Sequence, residues 1–347
     1  MKIFSLTLYA LSLPAAAALM AGCSNGVSSV GASSGMTPNG FQSPRTISIN
    51  GMLITAAHPN FGVRNHRVPM APDKNNKKKA LYQYAATFGE GPSLLVFDYP
   101  KSDKQIGSIG DISEVQGECA NVLFGAGKKS FWVTASGNDQ IDEFKVGGSN
   151  PIKTLSAPSG DVPVGCAMDP ASGNLAATII NTGAVVIYTK ASGSGTVSQS
   201  PLVEAFFAGY DKGSNLYVDG FNSEGTFGFV ELKKGSSTWE TLSTTNSVEF
   251  PGQVQFDGKY ITVNDQEAHD IFGYTCQGTS CTLKRTVSLT GSSDCDQTWI
   301  GNRVVFCPDA GNLDVEVYKY PAGGSPIAIL TGTAGYVELL AIVQARR

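Results

Sequence analysis

Residues Gly165–Tyr188, GCAMDPASGNLAATIINTGAVVIY, decide the fold. A short apolar strand ends at Asp169-Pro170, an Ala-Ser-Gly-Asn turn follows, and Asn174–Thr178 reads as a second strand. A polar turn at Asn181-Thr182-Gly183 leads into a third, Val185–Tyr188. Three strands on tight Gly/Asn turns make a meander, which cannot bury both of its faces alone. The unit therefore needs neighbours of its own kind, and the chain supplies them.

The residue ending each third strand recurs as Phe97, Phe144, Tyr188, Leu232, Tyr274 and Tyr318, at spacings of 47, 44, 44, 42 and 44 residues. A partner strand precedes each one: Leu81–Ala85, Phe131–Thr134, Leu175–Thr178, Leu216–Val218, Tyr260–Val263 and Val304–Phe306. A fourth strand in the same phase shows at Pro151–Leu155 and Pro326–Leu330. Four strands of about five or six residues and their turns fill such a period, which is the arithmetic of a propeller blade. The expected fold class is all-β: a six-bladed propeller of four-stranded antiparallel blades over 80–347.

Counting back from Phe97, the first blade's inner strand would fall on Asn75-Asn76-Lys77-Lys78-Lys79, which cannot form an apolar channel wall. Counting forward from Tyr318, an inner strand without followers falls on Tyr336–Val343. The C-terminal strand is therefore expected to pair beside Leu81–Ala85 and complete blade one.

Composition agrees with many short strands on Gly-rich turns: 40 of 347 residues are Gly and charged residues are 16%. A formal net charge of −4 gives no basic footprint for nucleic acid, and Lys77-Lys78-Lys79 reads as a solvated approach to a strand.

The first residues are read as an address. Met1-Lys2, an apolar run from Ile3 to Met20, and Ala21-Gly22-Cys23 resemble the lipobox leader of bacterial lipoproteins, with Met20 where Leu is commoner. The resemblance implies cleavage after residue 22 and acylation of Cys23. With Ser24 following, it also implies an outer-membrane lipoprotein facing periplasm or exterior. An ordinary secretory signal is the competing reading. Residues 23–79, rich in Ser, Gly, Asn and Pro at first, read as a tether with a short strand at Thr46–Thr55. Gly31-Ala32-Ser33-Ser34-Gly35 matches a nucleophile-elbow pattern but lacks the strand and helix that pattern needs.

Gly165-Cys166-Ala167-Met168-Asp169-Pro170 with Gly173-Asn174-Leu175 is similar to the repeat line of NHL-type propellers. Met70-Ala71-Pro72-Asp73, Asn150–Leu155 and Pro321–Ile327 resemble secreted bacterial propeller lipoproteins of that superfamily. The resemblance implies the fold; the partner expected beside it is a protein or carbohydrate ligand on the loop face, with no nucleic acid. The resemblance also brings in gluconolactonase-like hydrolases, which hold a divalent cation in the channel, and virginiamycin B lyase, which uses paired histidines. His58, His66 and His269 are the only histidines, so a two-histidine channel mechanism is disfavoured.

Two functions are carried forward. One is a lipid-anchored binding or scaffold module, expected to be a monomer. The other is a lactone hydrolase or lyase using Ca²⁺ or another divalent ion. For a ligand or metal the loops between second and third strands and between blades offer Asn264, Asp265, Glu267, His269, Asp270, Asp296 and Asp309. The competing reading is that exposed turns favour Asp, Asn and Gly for backbone reasons. No catalytic motif is complete.

Apart from Cys23, six cysteines remain, an even number suited to an oxidising compartment. Cys276 and Cys281 bracket a hairpin loop, Cys295 and Cys307 oppose one another if the turn centres on Gly301, and Cys119 and Cys166 occupy inner strands of adjacent blades. A zinc site at Cys276-x4-Cys281 lacks a second ligand pair. Trp132 and Trp299 are expected between blades, and Trp239, in a Gly-Ser-Ser-Thr hairpin, is expected to be exposed.

Overall fold

The computed structural model describes residues 45–49, 52–56, 81–88, 93–110, 112–120, 130–332 and 338–346, with backbone alone for 45–49, 52–56, Leu81, Phe88 and 338–346. The chain divides into two units, 1–62 and 63–347. In the first, Arg45–Ile49 pairs antiparallel with Met52–Ala56, Ile49 opposite Met52. The expected single strand is thus two. The residues between them in sequence are Asn50-Gly51, the dipeptide that favours two-residue hairpin turns. Residues 1–44, and Cys23 with them, lie outside the described residues.

The second unit is a ring of six small antiparallel sheets. Blade three, the stretch first read from sequence, runs Pro163–Met168, Leu175–Ile179, Ala184–Tyr188, Thr196–Gln199 from channel to rim. Blade two begins at Val115–Cys119, blade four at Glu204–Tyr210, blade five at Pro251–Phe256 and blade six at Trp299–Gly301. Blade one takes its inner strand from Glu338–Arg346, followed by Leu81–Phe88, Leu94–Phe97 and Gln105–Ile109. Its register puts Val343 opposite Tyr84 and Ile342 opposite Ala85. The ring therefore closes as the repeat count requires. Blade five gains a fifth strand, Ser243–Thr244, laid parallel to Ser280-Cys281 and covering its outer edge.

The core lies between blades. Of the six residues that mark the repeat, Phe97, Phe144, Tyr188, Tyr274 and Tyr318 are 0–1% exposed, and Leu232 is buried at 8%. Each plugs an inter-blade seam, and burying such a side chain is worth roughly 1.5–3 kcal/mol. Close approach at the channel needs glycine: a Cβ on Gly117 would sit 2.0 Å from the Val164 carbonyl oxygen, and one on Gly165 would sit 2.3 Å from that of Phe206.

A polar ring ties the seams together. Thr134 Oγ1 donates to the Val164 carbonyl (3.0 Å) and Thr178 Oγ1 to the Phe206 carbonyl (2.6 Å). Asn264 Nδ2 donates to the Cys295 carbonyl (2.6 Å). All three residues occupy the same place on the second strand of their blades and reach the next blade. Asp219 holds that place in blade four, fully buried, and accepts the Phe207 amide at 3.0 Å. Burial pushes its carboxyl well above the usual range, partly offset by the Phe207 and Gly252 amides.

Three disulfides join the expected pairs, Cys119–Cys166, Cys276–Cys281 and Cys295–Cys307. The turn expected at Gly301 sits one step later. Gly301 pairs with Val304 across Asn302 and Arg303, both with positive φ (50° and 65°). Cys295 and Cys307 are therefore not directly opposite, yet their Cα atoms are 5.3 Å apart, within bridging distance.

Candidate functional site

Every inner strand runs the same way through the ring. Their N-terminal ends share one face with the turns between second and third strands. Their C-terminal ends share the opposite face with the turns between first and second strands. The two faces differ in chemistry.

The residues chosen from sequence lie on the first face, and main-chain groups occupy several of them. Asp265 Oδ1 accepts the amides of Phe250, Glu267 and Ala268 (all 3.2 Å), and Oδ2 accepts that of Glu249 at 2.7 Å. Asp309, at the same place in blade six, accepts from Gly311 (2.9 Å) and Asn312 (2.8 Å) on Oδ1 and from Ser293 (2.6 Å) on Oδ2. These carboxylates close turns and knot the inter-blade loops to the strand ends. Asn264 belongs to the polar ring, and the Asp296 carbonyl accepts the Gln253 amide at 3.2 Å. Asp270 faces Asp265 in the ladder, Glu267 is exposed on the turn, and His269 turns the chain with φ 55°.

A divalent cation needs several free carboxylate oxygens around one point. Among the described residues the one compact set of potential ligands is Cys295, Cys307 and Asp309, and its sulfurs are joined in a disulfide, so no thiolate is offered. The donors here do not fit a resident ion.

Beside Asp309, carboxyls crowd the start of blade six's third strand. Burial, then the charges of Glu316 and Asp309, push Asp314 up to about 7. Burial raises Glu316 too, and the Tyr318 hydroxyl donates to its carboxylate.

The opposite face holds a cavity of about 510 Å³ at the channel mouth. Its wall is formed by strand ends of five blades, including Cys119, Cys166, Tyr210, Phe256 and Trp299. Its charge comes from Asp257, Lys259, Arg285 and Arg303. Arg285 is held in place: Nη1 lies 2.8 Å from Asp257 Oδ2 and 3.1 Å from the Tyr320 hydroxyl. Its guanidinium stacks 4.9 Å from the centre of Tyr260 and 5.4 Å from that of Tyr320. Tyr320 donates to Asp257 Oδ2 at 2.5 Å, and burial, then that contact, push its phenol up, so it remains a neutral donor. Asp257 Oδ1 accepts the amides of Lys259 (2.7 Å) and Tyr260 (2.6 Å). Among the described residues Asp257 is the only carboxylate of the mouth, and it is engaged on every side, while Lys259 and Arg303 stay exposed. An aromatic wall with forked and point cations suits an anion attached to a flat or apolar body.

Sequence reading does not find this mouth, because each blade gives it only a residue or two from an ordinary turn. The signal present was the cation that follows the turn-forming Asp or Asn, in Asp257-Gly258-Lys259 and Asn302-Arg303. The tryptophans divide differently from expectation. Trp132 is buried between blades, and Trp299 is buried and also borders the cavity. Trp239 is only partly exposed: its Nε1 donates to Ser198 Oγ at 2.9 Å, tying the rim of blade four to that of blade three.

No family model and no curated protein matches the chain. Among solved structures it resembles a chain of a nidogen/laminin complex, with 15% identity, TM-score 0.60, and coverage of 76% of this chain and 98% of that one. It also resembles a protein of unknown function from Bacteroides caccae, with 12% identity, TM-score 0.56, and coverage of 77% and 100%. At these identities the likeness is one of fold, and the class is the six-bladed β-propeller.

Proposed function

We propose that this chain is a lipid-anchored, extracytoplasmic binding module of the NHL-type propeller kind, whose ligand enters the basic channel mouth and presents an anionic group to Lys259 and Arg303. The cavity carries the proposal: Lys259 and Arg303 are exposed at its rim, while its one carboxylate among the described residues, Asp257, is satisfied from within the protein. Three disulfides support an oxidising compartment, and the sequence around Cys23 supports acylation there. The nidogen/laminin title names an assembly of that protein, and so supports only the general use of this fold in binding. The hydrolase reading gains no support from Asp265 and Asp309, whose oxygens close turns.

The test is titration with inorganic phosphate and with galacturonate, a ring bearing one carboxylate, followed by calorimetry and thermal shift. Saturable binding is expected, lost in Lys259→Gln/Arg303→Gln and kept in Lys284→Gln, which lies on an outer strand. Absence of saturable binding at tens of millimolar for both probes sinks the proposal.

A further inference from the structure

The loop charges of the propeller are sorted by face. Among the described residues, loops at the N-terminal ends of the inner strands contain no lysine or arginine and carry Glu114, Asp139, Asp161, Glu224, Glu249 and Glu267. Loops at the other end expose Lys145, Lys190, Lys212, Lys234, Lys259 and Arg303, drawn from blades two to six, and Lys104 from blade one. Asp103 in blade one is exposed beside Lys104, and Asp98 pairs with Lys101 at 3.0 Å, but the carboxylates in the first turns of blades three to five face inward. Asp169 is 1% exposed and accepts the Ala171 amide (3.0 Å), and Asp211 accepts those of Gly213 (2.7 Å) and Asn215 (2.9 Å). Asp257 does the same for Lys259 and Tyr260. An aspartate that closes its own turn points its charge at the main-chain amides of that turn, while the side chain of the neighbouring lysine, Lys212 or Lys259, is exposed. A chain of net charge −4 thereby presents a basic disc.

We propose that this basic face docks on the surface of an anionic lipid bilayer. Its cations are spread over every blade, which matches a flat, extended anion better than a small one. The chain also enters and leaves the propeller there, since Leu81 pairs with Arg346 at the end of blade one where the inner strand finishes. In sequence this junction is flanked by Lys77-Lys78-Lys79 and Arg347. A tether attached at this face draws it, not the acidic face, toward the membrane. That step rests on the lipid-anchor reading; the charge sorting does not. In an oxidising compartment the lipid headgroup layer is a ready polyanion, whereas nucleic acid is not.

The experiment uses the full chain with Cys23→Ser, so that no acyl group is present. It measures co-sedimentation with vesicles of phosphatidylcholine alone and with about a third phosphatidylglycerol. The readout is the ratio of the two, which cancels any binding through apolar segments. A ratio of about ten or more in low salt, falling toward one in half-molar salt, is expected from screening. Lys145→Glu/Lys190→Glu/Lys212→Glu/Lys234→Glu, placed away from the cavity, should bring the ratio near one and leave phosphate binding in the channel unchanged. If that variant does not fold, the same four positions changed to Gln should lower the ratio in the same direction. A ratio near one for the parent overturns the proposal. So does an acidic-face variant, Glu224→Lys/Glu249→Lys/Glu267→Lys, that raises the ratio as strongly as the basic-face variant lowers it, since net charge alone would then decide. Tighter binding to heparin or polyuridylate than to vesicles at equal charge also overturns it.

Discussion

Gln297 hydrogen-bonds the main chain of Glu118, 179 residues away: the Glu118 amide donates to Oε1 at 2.6 Å and Nε2 donates to the Glu118 carbonyl at 2.5 Å. Gln297 leads into the inner strand of blade six and Glu118 lies on that of blade two, with blade one between them in the ring. An inner strand has no sheet neighbour on its channel side, so its N–H and C=O groups need other partners. A side-chain amide here stands in for the missing strand. Gln255 repeats the device on Ile300, accepting its amide at 2.8 Å and donating to its carbonyl at 2.9 Å.

Replacing Gln297 by Leu leaves a buried amide and a buried carbonyl unpaired. Each unsatisfied group costs about 1–3 kcal/mol, so for the two a loss of about 2–6 kcal/mol is expected in urea unfolding. Gln297→Leu within about half a kcal/mol of the parent would show that water serves Glu118 equally well.

This contact marks the boundary of what could be read from sequence. The blade repeat was legible because Phe97, Phe144, Tyr188, Tyr274 and Tyr318 all fill the same kind of seam, and packing constrains residue type there. Ring closure followed, since a blade without an inner strand and a strand without a blade must meet. Gln297 and Glu118 share no local pattern, and the basic mouth is assembled from turns that each have a sufficient local reason to exist. The Asn302-Arg303 turn was misplaced because arginine at positive φ runs against its backbone preference. The acidic loops were legible as turns, and Asp265 and Asp309 hold them closed.

The disulfides should differ in value. Cys119–Cys166 spans 47 residues and Cys276–Cys281 spans 5. Chain entropy gives about 4 kcal/mol for the first and about 2 kcal/mol for the second. Paired Cys→Ser variants, compared by guanidinium unfolding, should preserve that order. The reverse order would mean that native-state strain, not loop length, governs these bridges.

Asp314 should make the fold less stable as pH rises. Its folded carboxyl is raised to about 7 by burial and by the charges of Glu316 and Asp309, against 3.8 ordinarily. The folded state thus holds a proton that the unfolded state releases earlier. The contribution is complete below about pH 4 and is lost as pH climbs toward 7. Asp314→Asn should therefore stabilise at pH 8 by about 1–2 kcal/mol, after allowing for solvent screening, and change little at pH 4. A melting-temperature gain that is the same at both pH values would assign the effect to packing instead.

The C-terminal strand Glu338–Arg346 should hold the whole ring rather than one end of it. It pairs with Leu81–Phe88 from Glu338 opposite Phe88 to Arg346 opposite Leu81. It also lies against the inner strands of blades two and six, so its loss opens two seams and exposes the inner edge of blade one. Every seam is sealed by its two neighbours, and opening one lets the adjacent blades separate. A chain ending at residue 335 should then unfold over a broad range beginning well below the parent's melting temperature. An added peptide of residues 336–347 should restore part of the loss by mass action. Cooperative melting of the truncated chain within a degree or two of the full one would falsify this closure and would make the last strand an appendage.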